Sequence, residues 1–291
     1  MLNGYDYENY LAMGTPFSFN PDGSLTEQSA GKWNPDGTVK HSGINHNWQK
    51  EVLRPAFTHK VNASVNGGSG NVSYALTAGY LDKDGIAIGS EMDRFTFGSK
   101  VNVKVKKWLR LGLDLKGSRT RNDGIVSADQ FIANNVFAQM LIFNPAYAGD
   151  DFNDDLSSDG NNPRNHPLVN ARDAVQRNIS NRIQGQVFAE FNIVKGLTFK
   201  TSFGGYMNNT KTKNFYPAAV GNGSRTNGLA THGSGNVTNW IQENILNYNR
   251  TFNKIHNQNA MVGFTMERTI NEKLKITTKD LMSDNLNEEK S

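Results

Sequence analysis

The sequence predicts an all-β chain: an antiparallel transmembrane β-barrel fragment of about eight strands, with long extracellular loops. Three observations carry that reading. Apolar and polar residues alternate with a period of two over long runs, short turns take turns with long connections, and the chain is polar on average. Its mean hydropathy is −0.60 with 36% hydrophobic residues in 291. A barrel strand needs an apolar residue only at every second position, so such a chain sits in lipid while reading as hydrophilic. No run approaches the roughly 18 apolar residues of a spanning helix, so strands must do the crossing.

The first hairpin places Phe57, His59, Val61, Ala63 and Val65 against Thr58, Lys60, Asn62, Ser64 and Asn66, and turns at Gly67-Gly68-Ser69-Gly70. Its return strand puts Val72, Tyr74, Leu76, Ala78 and Tyr80 on one face, because residues two apart in a strand share a side. In the second hairpin Phe95, Phe97, Val101, Val103 and Val105 oppose Thr96, Lys100, Asn102 and Lys104, with a turn at Lys106-Lys107. Leu109, Leu111, Leu113 and Leu115 then alternate with Arg110, Gly112, Asp114 and Lys116. A helix would scatter those leucines around its circumference.

The third hairpin runs from Ile179 to Val194, turns at Lys195-Gly196 and returns through Leu197, Phe199 and Phe203, with Lys200 and Ser202 on the other side. The fourth covers Val237 to Phe252 and Gln258 to Thr269, with Ala260, Val262, Phe264 and Met266 on one face. Alternation weakens from Ile241 to Ile245, where a β-bulge is expected to shift the register. The layout is therefore a lead-in segment over 1–56, four barrel hairpins over 57–272, and the start of an extracellular loop over 273–291.

Turns near Gly68, Lys106, Gly196 and Asn253 are short, whereas the connections 83–92, 122–176 and 215–236 are long. That asymmetry matches short periplasmic turns and long extracellular loops, and so points to a bacterial outer membrane. Trp108 beside a turn, and Tyr80, Phe95 and Phe203 towards the loops, stand where interfacial aromatic girdles belong. The alternative is a soluble all-β carbohydrate-binding module, whose two-layer core would also alternate.

Other functions find little support. The net charge of +4 comes from 31 basic and 27 acidic residues without a clustered basic face, so no nucleic-acid partner is expected. There are no cysteines, and the six histidines, His41 and His46 among them, lack ligand spacing. No G-x-S-x-G elbow occurs, and the pairs Gly68/Gly70 and Gly221/Gly223 lack the third glycine of a dinucleotide loop. No enzyme, cofactor or metal site is expected. The acidic run Asp150, Asp151, Asn153, Asp154, Asp155 and Asp159 is a Ca²⁺ candidate, but Leu156 and Asn162 break the EF-hand pattern, which leaves a solvated loop as the simpler reading. Phe215, Tyr216 and Trp240 are candidate ligand-stacking aromatics, with girdle anchoring as their alternative role. Helical spacing of Phe131, Ile132, Val136, Phe137, Met140 and Leu141 places a loop helix within Ala128 to Phe143, packed inside the vestibule or against a partner.

From Trp48 to Gly124 an ordered run of motifs stands out. It comprises Trp48-Gln49-Lys50-Glu51-Val52-Leu53-Arg54, Ser64 to Ser69, Tyr74 to Ile86, Arg94, Lys107-Trp108-Leu109-Arg110-Leu111-Gly112 and Ser118 to Gly124. The run resembles the SusC/RagA family of TonB-linked outer-membrane transporters, and Glu243 to Asn249 followed by Val262-Gly263-Phe264 is similar to the family's later hairpins. The resemblance implies a 22-stranded, plugged barrel preceded by a signal sequence, TonB box and plug. It also implies a SusD-like surface lipoprotein as partner, the TonB complex acting through the plug, and glycan oligomers or peptides as cargo. MLNGYDYENY has no secretory signal features, so the chain is expected to be a barrel fragment. Such a fragment is expected to be inactive alone, with open strand edges in lipid.

Overall fold

The computed structural model describes residues 2–125, 135–147, 166–218, 223, 226–253 and 255–281. Eight strands form one antiparallel sheet in chain order: β1 (Thr58–Gly68), β2 (Val72–Asp84), β3 (Glu91–Lys106), β4 (Leu109–Gly124), β5 (Val175–Val194), β6 (Leu197–Tyr216), β7 (Leu229–Phe252) and β8 (His256–Lys279). Directly opposed residues share a face. Following the register across the sheet therefore assembles one stripe: Tyr74 faces Val101, Val101 faces Leu113, Leu113 faces Val187, and Val187 faces Phe203. The stripe lies open, with Leu76, Phe97, Leu113, Val187 and Phe203 all exposed. An apolar face left uncovered on this scale is what a lipid-facing barrel wall presents.

Apolar spans such as Val72–Tyr80, Phe95–Val105 and Leu197–Met207 match the roughly 9 to 11 residues a tilted strand needs to cross the hydrocarbon. Aromatic pairs rim both ends of this belt. Trp108 stacks on Phe191 at 6.2 Å beside the turns, while Tyr80 meets Phe95 at 4.6 Å towards the loops. Trp108, Tyr80 and Phe95 thus stand at the belt's rims, whereas Phe203, expected towards the loops, lies in the middle of the Leu197–Met207 span, where it meets Trp240 at 6.2 Å.

The strands outrun the sequence reading. At ~3.3 Å per residue the 24 residues of β7 extend about 80 Å, which at ~45° tilt rises well beyond the ~30 Å hydrocarbon core. The connections shrink accordingly, with β6 ending at Tyr216 and β7 beginning at Leu229. β8 likewise continues through 273–279, the stretch read as the start of a loop, and Leu274 and Ile276 keep its alternation going.

The bulge expected at Ile241 to Ile245 is absent. β7 stays in register with β6 and β8 throughout, and the two irregularities lie at Lys104/Lys106 and Asn192/Val194, beside turns. Alternation weakens there for another reason. Ile241 and Ile245 lie opposite Gly204 and Lys200 on the inner face, while Gln242 and Asn244 occupy the apolar one.

Beyond the loop-end rim sits a small cap. Helices α3 (Trp48–Val52), α4 (Val136–Ile142) and α5 (Pro167–Asp173) enclose Trp48, Val52, Val136, Met140, Phe143 and Ala171 together with Ala87 and Ile125. Within the predicted helical segment α4 confirms 136–142, and 126–134 lies outside the described residues. Residues before α3 are ordered rather than a plain lead-in: α1 (Gly4–Met13), α2 (Glu27–Ala30) and two matching Asn-Pro-Asp-Gly turns. In each turn a glycine takes positive φ, Gly23 at 83° and Gly37 at 84°, and the Asp22 or Asp36 carboxylate accepts from the next hydroxyl residue at 2.6 Å.

Candidate functional site

The face opposite the belt is polar, and its side chains engage one another across strands. Arg110 pairs with Glu190 at 2.6 Å, Ser202 donates to Glu243 at 3.3 Å, and Asn239 donates to Glu267 at 2.6 Å and Thr269 at 2.9 Å. Phe188 interrupts this wall. Its ring lies against Gly112, where a Cβ would collide with it, and takes Arg110 at 5.6 Å and Lys200 at 4.9 Å from its centroid. The glycine lets the ring lie flat, and the ring's quadrupole holds two cations in place. Nearer the loops Arg182 lies over Tyr206 at 4.6 Å. A cavity of about 430 Å³ opens beside Phe188, lined by Lys100, Lys104, Arg110 and the 69–73 turn.

Cations prevail on this inner face between β3 and β6. Lys100, Lys104, Arg110, Lys116, Arg182 and Lys200 face only Asp114 and Glu190 on the same four strands. Such a wall attracts anionic groups and repels cations.

At the loop end the two halves of the recognised motif run meet. The backbone of Arg54 donates to Ile86 at 2.8 Å and that of Ile88 to Val52 at 3.0 Å, which ties the Trp48–Arg54 stretch to the Asp84-Gly85-Ile86 turn. The Arg54 guanidinium reaches the carbonyls of Gly85 and Ser90, both at 3.4 Å. Trp48 is only 2% exposed; it stacks on His46 at 4.5 Å and meets the His166 ring edge-on at 4.7 Å. Gln139 of α4 accepts from Asn170 of α5 at 3.2 Å, which joins the two loop helices. These residues build a rim, and sequence reasoning saw Trp48 and Arg54 only as motif letters.

The three candidate stacking aromatics are dispersed. Phe215 is 1% exposed, Tyr216 accepts from Gln176 at 3.0 Å near the loop end of β6, and Trp240 lies on the apolar face beside Phe203. Of the three, Tyr216 alone has inner-face parity. The acidic run 150–159 lies outside the described residues. Among the described residues no group of His, Cys, Asp or Glu is arranged for a metal.

No family model matches the chain. It is 29% identical to TonB-dependent receptor P3 of Formosa agariphila over 78% of this chain and 23% of that protein. It is 28% identical to TonB-dependent receptor P39 of the same organism over 76% of this chain and 20% of that one. Among solved structures, the RagAB peptide importer in its open-open state superposes on 98% of the chain with a TM-score of 0.73 at 19% identity, over 34% of the matched chain. The chain thus spans about a fifth to a quarter of the length of the curated relatives it matches.

Proposed function

We propose that this chain, which carries part of the barrel of a SusC/RagA-like TonB-dependent transporter, forms a wall of the conduit by which nutrient oligomers cross the bacterial outer membrane. The observation that carries the reading is the two-faced sheet. One face is an apolar belt between aromatic girdles, and the other is a charged surface with a cation-flanked ring at Phe188. A wall of this kind hides its backbone from lipid by pairing and offers cargo a wet, hydrogen-bonding surface.

In this reading 57–272, with its continuation to Lys279, lines the barrel, and 1–56 joins the cap above it. Glycans or peptides enter at the loop end, where Tyr216 offers a stacking face and a SusD-like lipoprotein covers the cap. Exposed Tyr5, Tyr10, Phe17 and Phe19 suit such a partner, since exposed aromatics are enriched at protein interfaces. The TonB complex acts through a plug against the inner wall. The protein moves cargo without altering it, so it works as a transporter and not as an enzyme.

Two experiments test this. Membrane fractionation with heat-modifiable gel migration should place the protein in the outer membrane as a folded barrel. Deleting the gene in its host, then growing cells on defined oligosaccharides or oligopeptides, should abolish growth on one class. Undiminished growth on every oligomer would contradict the transport role.

A further inference from the structure

Above the apolar belt the outward face changes character, and it does so by sector. On β4 to β6 the outward positions beyond Gly117, Ile183 and Met207 include Arg119, Arg121, Arg177, Lys211 and Lys213, with Asp123 the only carboxylate among them. On β2 and β3 the same level is acidic, with Asp82 opposite Asp93 and Asp84 opposite Glu91.

Several of these bases are closer together than mutual repulsion favours. Arg177 and Lys213 stand directly opposite each other in the ladder, and like charges in that position destabilise a sheet. Asp123 is divided between Arg177 at 2.8 Å and Arg121 at 2.6 Å, and Arg121 also reaches Glu91 at 3.0 Å. Between them opens a cavity of about 290 Å³, lined by Arg54, Arg121, Arg172, Arg177 and Lys213 against Glu91 and Asp123. Among the described residues its basic lining exceeds its acidic lining.

We infer that this basic sector of β4 to β6 is a docking surface for the phosphate groups of an anionic outer-leaflet glycolipid. The inference rests on the outer-membrane reading above. Height supports it: the bases lie two to six residues beyond the belt, about 5–15 Å higher at ~3.3 Å per residue and ~45° tilt, which runs from the headgroup layer at Arg119 up to the level of the sugars that a glycolipid carries above it. Charge supports it as well, since basic groups beside a membrane attract anionic lipid heads. Arginines with fixed partners present a planar fork to phosphate, and the lysines add point charges. A protein cargo partner would favour the inner face or the cap instead; this surface faces outward, continuous with the lipid-facing belt.

The natural protein, extracted from outer membranes in a zwitterionic detergent, is examined by native mass spectrometry with added rough lipopolysaccharide or phosphatidylethanolamine. Wild type should retain the lipopolysaccharide at least tenfold more than the zwitterionic lipid. The combined change Arg119→Gln, Lys211→Gln and Lys213→Gln should cut that retention about tenfold, while inner-face Lys275→Gln leaves it unchanged. Heat-modifiable migration of each variant confirms that the barrel is still folded. Equal retention of both lipids, or unaltered retention in the triple variant, overturns the inference. Absence of the protein from the membrane fraction would overturn the outer-membrane reading with it, so the two failures are distinguishable.

Discussion

The indole N–H of Trp48 donates to the carbonyl oxygen of Asn144 at 3.1 Å, a bond between residues 96 apart in the chain. It joins α3 to the end of α4 inside the buried cluster, and the indole also meets Phe143 edge-on at 5.6 Å. Trp48→Ala removes a buried aromatic and is expected to destabilise the cap by about 3–5 kcal/mol. Trp48→Phe keeps most of the volume and loses the donor, at about 1–3 kcal/mol for the unmet carbonyl. Limited proteolysis should cut the loop-end connections faster in the alanine variant than in the phenylalanine one, with the barrel core unchanged.

Gly117 lies beneath the Phe97 ring on the outer face, and a Cβ there would collide with the ring. Gly117→Ala should push Phe97 off the sheet into lipid and cost about 1–3 kcal/mol of overpacking. Urea titration of the protein in detergent, followed by tryptophan emission, should show a lower midpoint. Gly235→Ala, whose Cβ would meet nothing closer than 4.0 Å, should leave the midpoint near that of wild type.

Leu113 and Asp114 are neighbours in the chain with opposite surroundings, the first facing the belt and the second the inner wall. Leu113→Arg places a charge near the belt's middle and should cost about 2–4 kcal/mol in a bilayer. Asp114→Arg should cost far less in stability. Refolding yield into lipid vesicles separates the two.

Glu8 ties α1 to the segment before the cap. Burial raises its pKa, but hydrogen bonds from the Ser42 side chain and backbone, and from His41, outweigh that and hold it below the ordinary glutamate value. The folded form therefore binds this proton less readily than the unfolded one. Its contribution to stability is present above the ordinary glutamate value and is lost as pH falls through the lower folded value. Hydrogen-exchange protection of the Ser42 amide, which donates to Glu8 at 3.0 Å, should hold at neutral pH and fall on acidification through that range. Glu8→Gln should remove the pH dependence.

The strands were legible where one face meets lipid. Leu109 to Leu115 could be read without error because every second residue had to be apolar. Above the membrane both faces are wet, so a run such as Asn208-Asn209-Thr210-Lys211-Thr212-Lys213 continues β6 with no period to show it. Local pattern also misled at Ile241 and Ile245, since inner-face apolar residues mimic a register shift. The cap was visible only as a motif, because Trp48 and Asn144 meet through a fold that local spacing does not encode. The paired turns at Asp22-Gly23 and Asp36-Gly37 carried a turn signal in plain view and could have been found. Dispersal of Phe215, Tyr216 and Trp240 follows from the parity of their strands, which aromatic identity alone does not convey.

Opposite faces of this one sheet meet lipid and water. These 291 residues contain no cysteine, so single cysteines introduced at 109–116 can be spin-labelled one at a time in lipid vesicles. Labels at 109, 111, 113 and 115 should collide with oxygen dissolved in the bilayer, and labels at 110, 112, 114 and 116 with a water-soluble nickel chelate, in strict alternation. Uniform access to the nickel chelate along the run, or alternation in the opposite phase, would contradict the account.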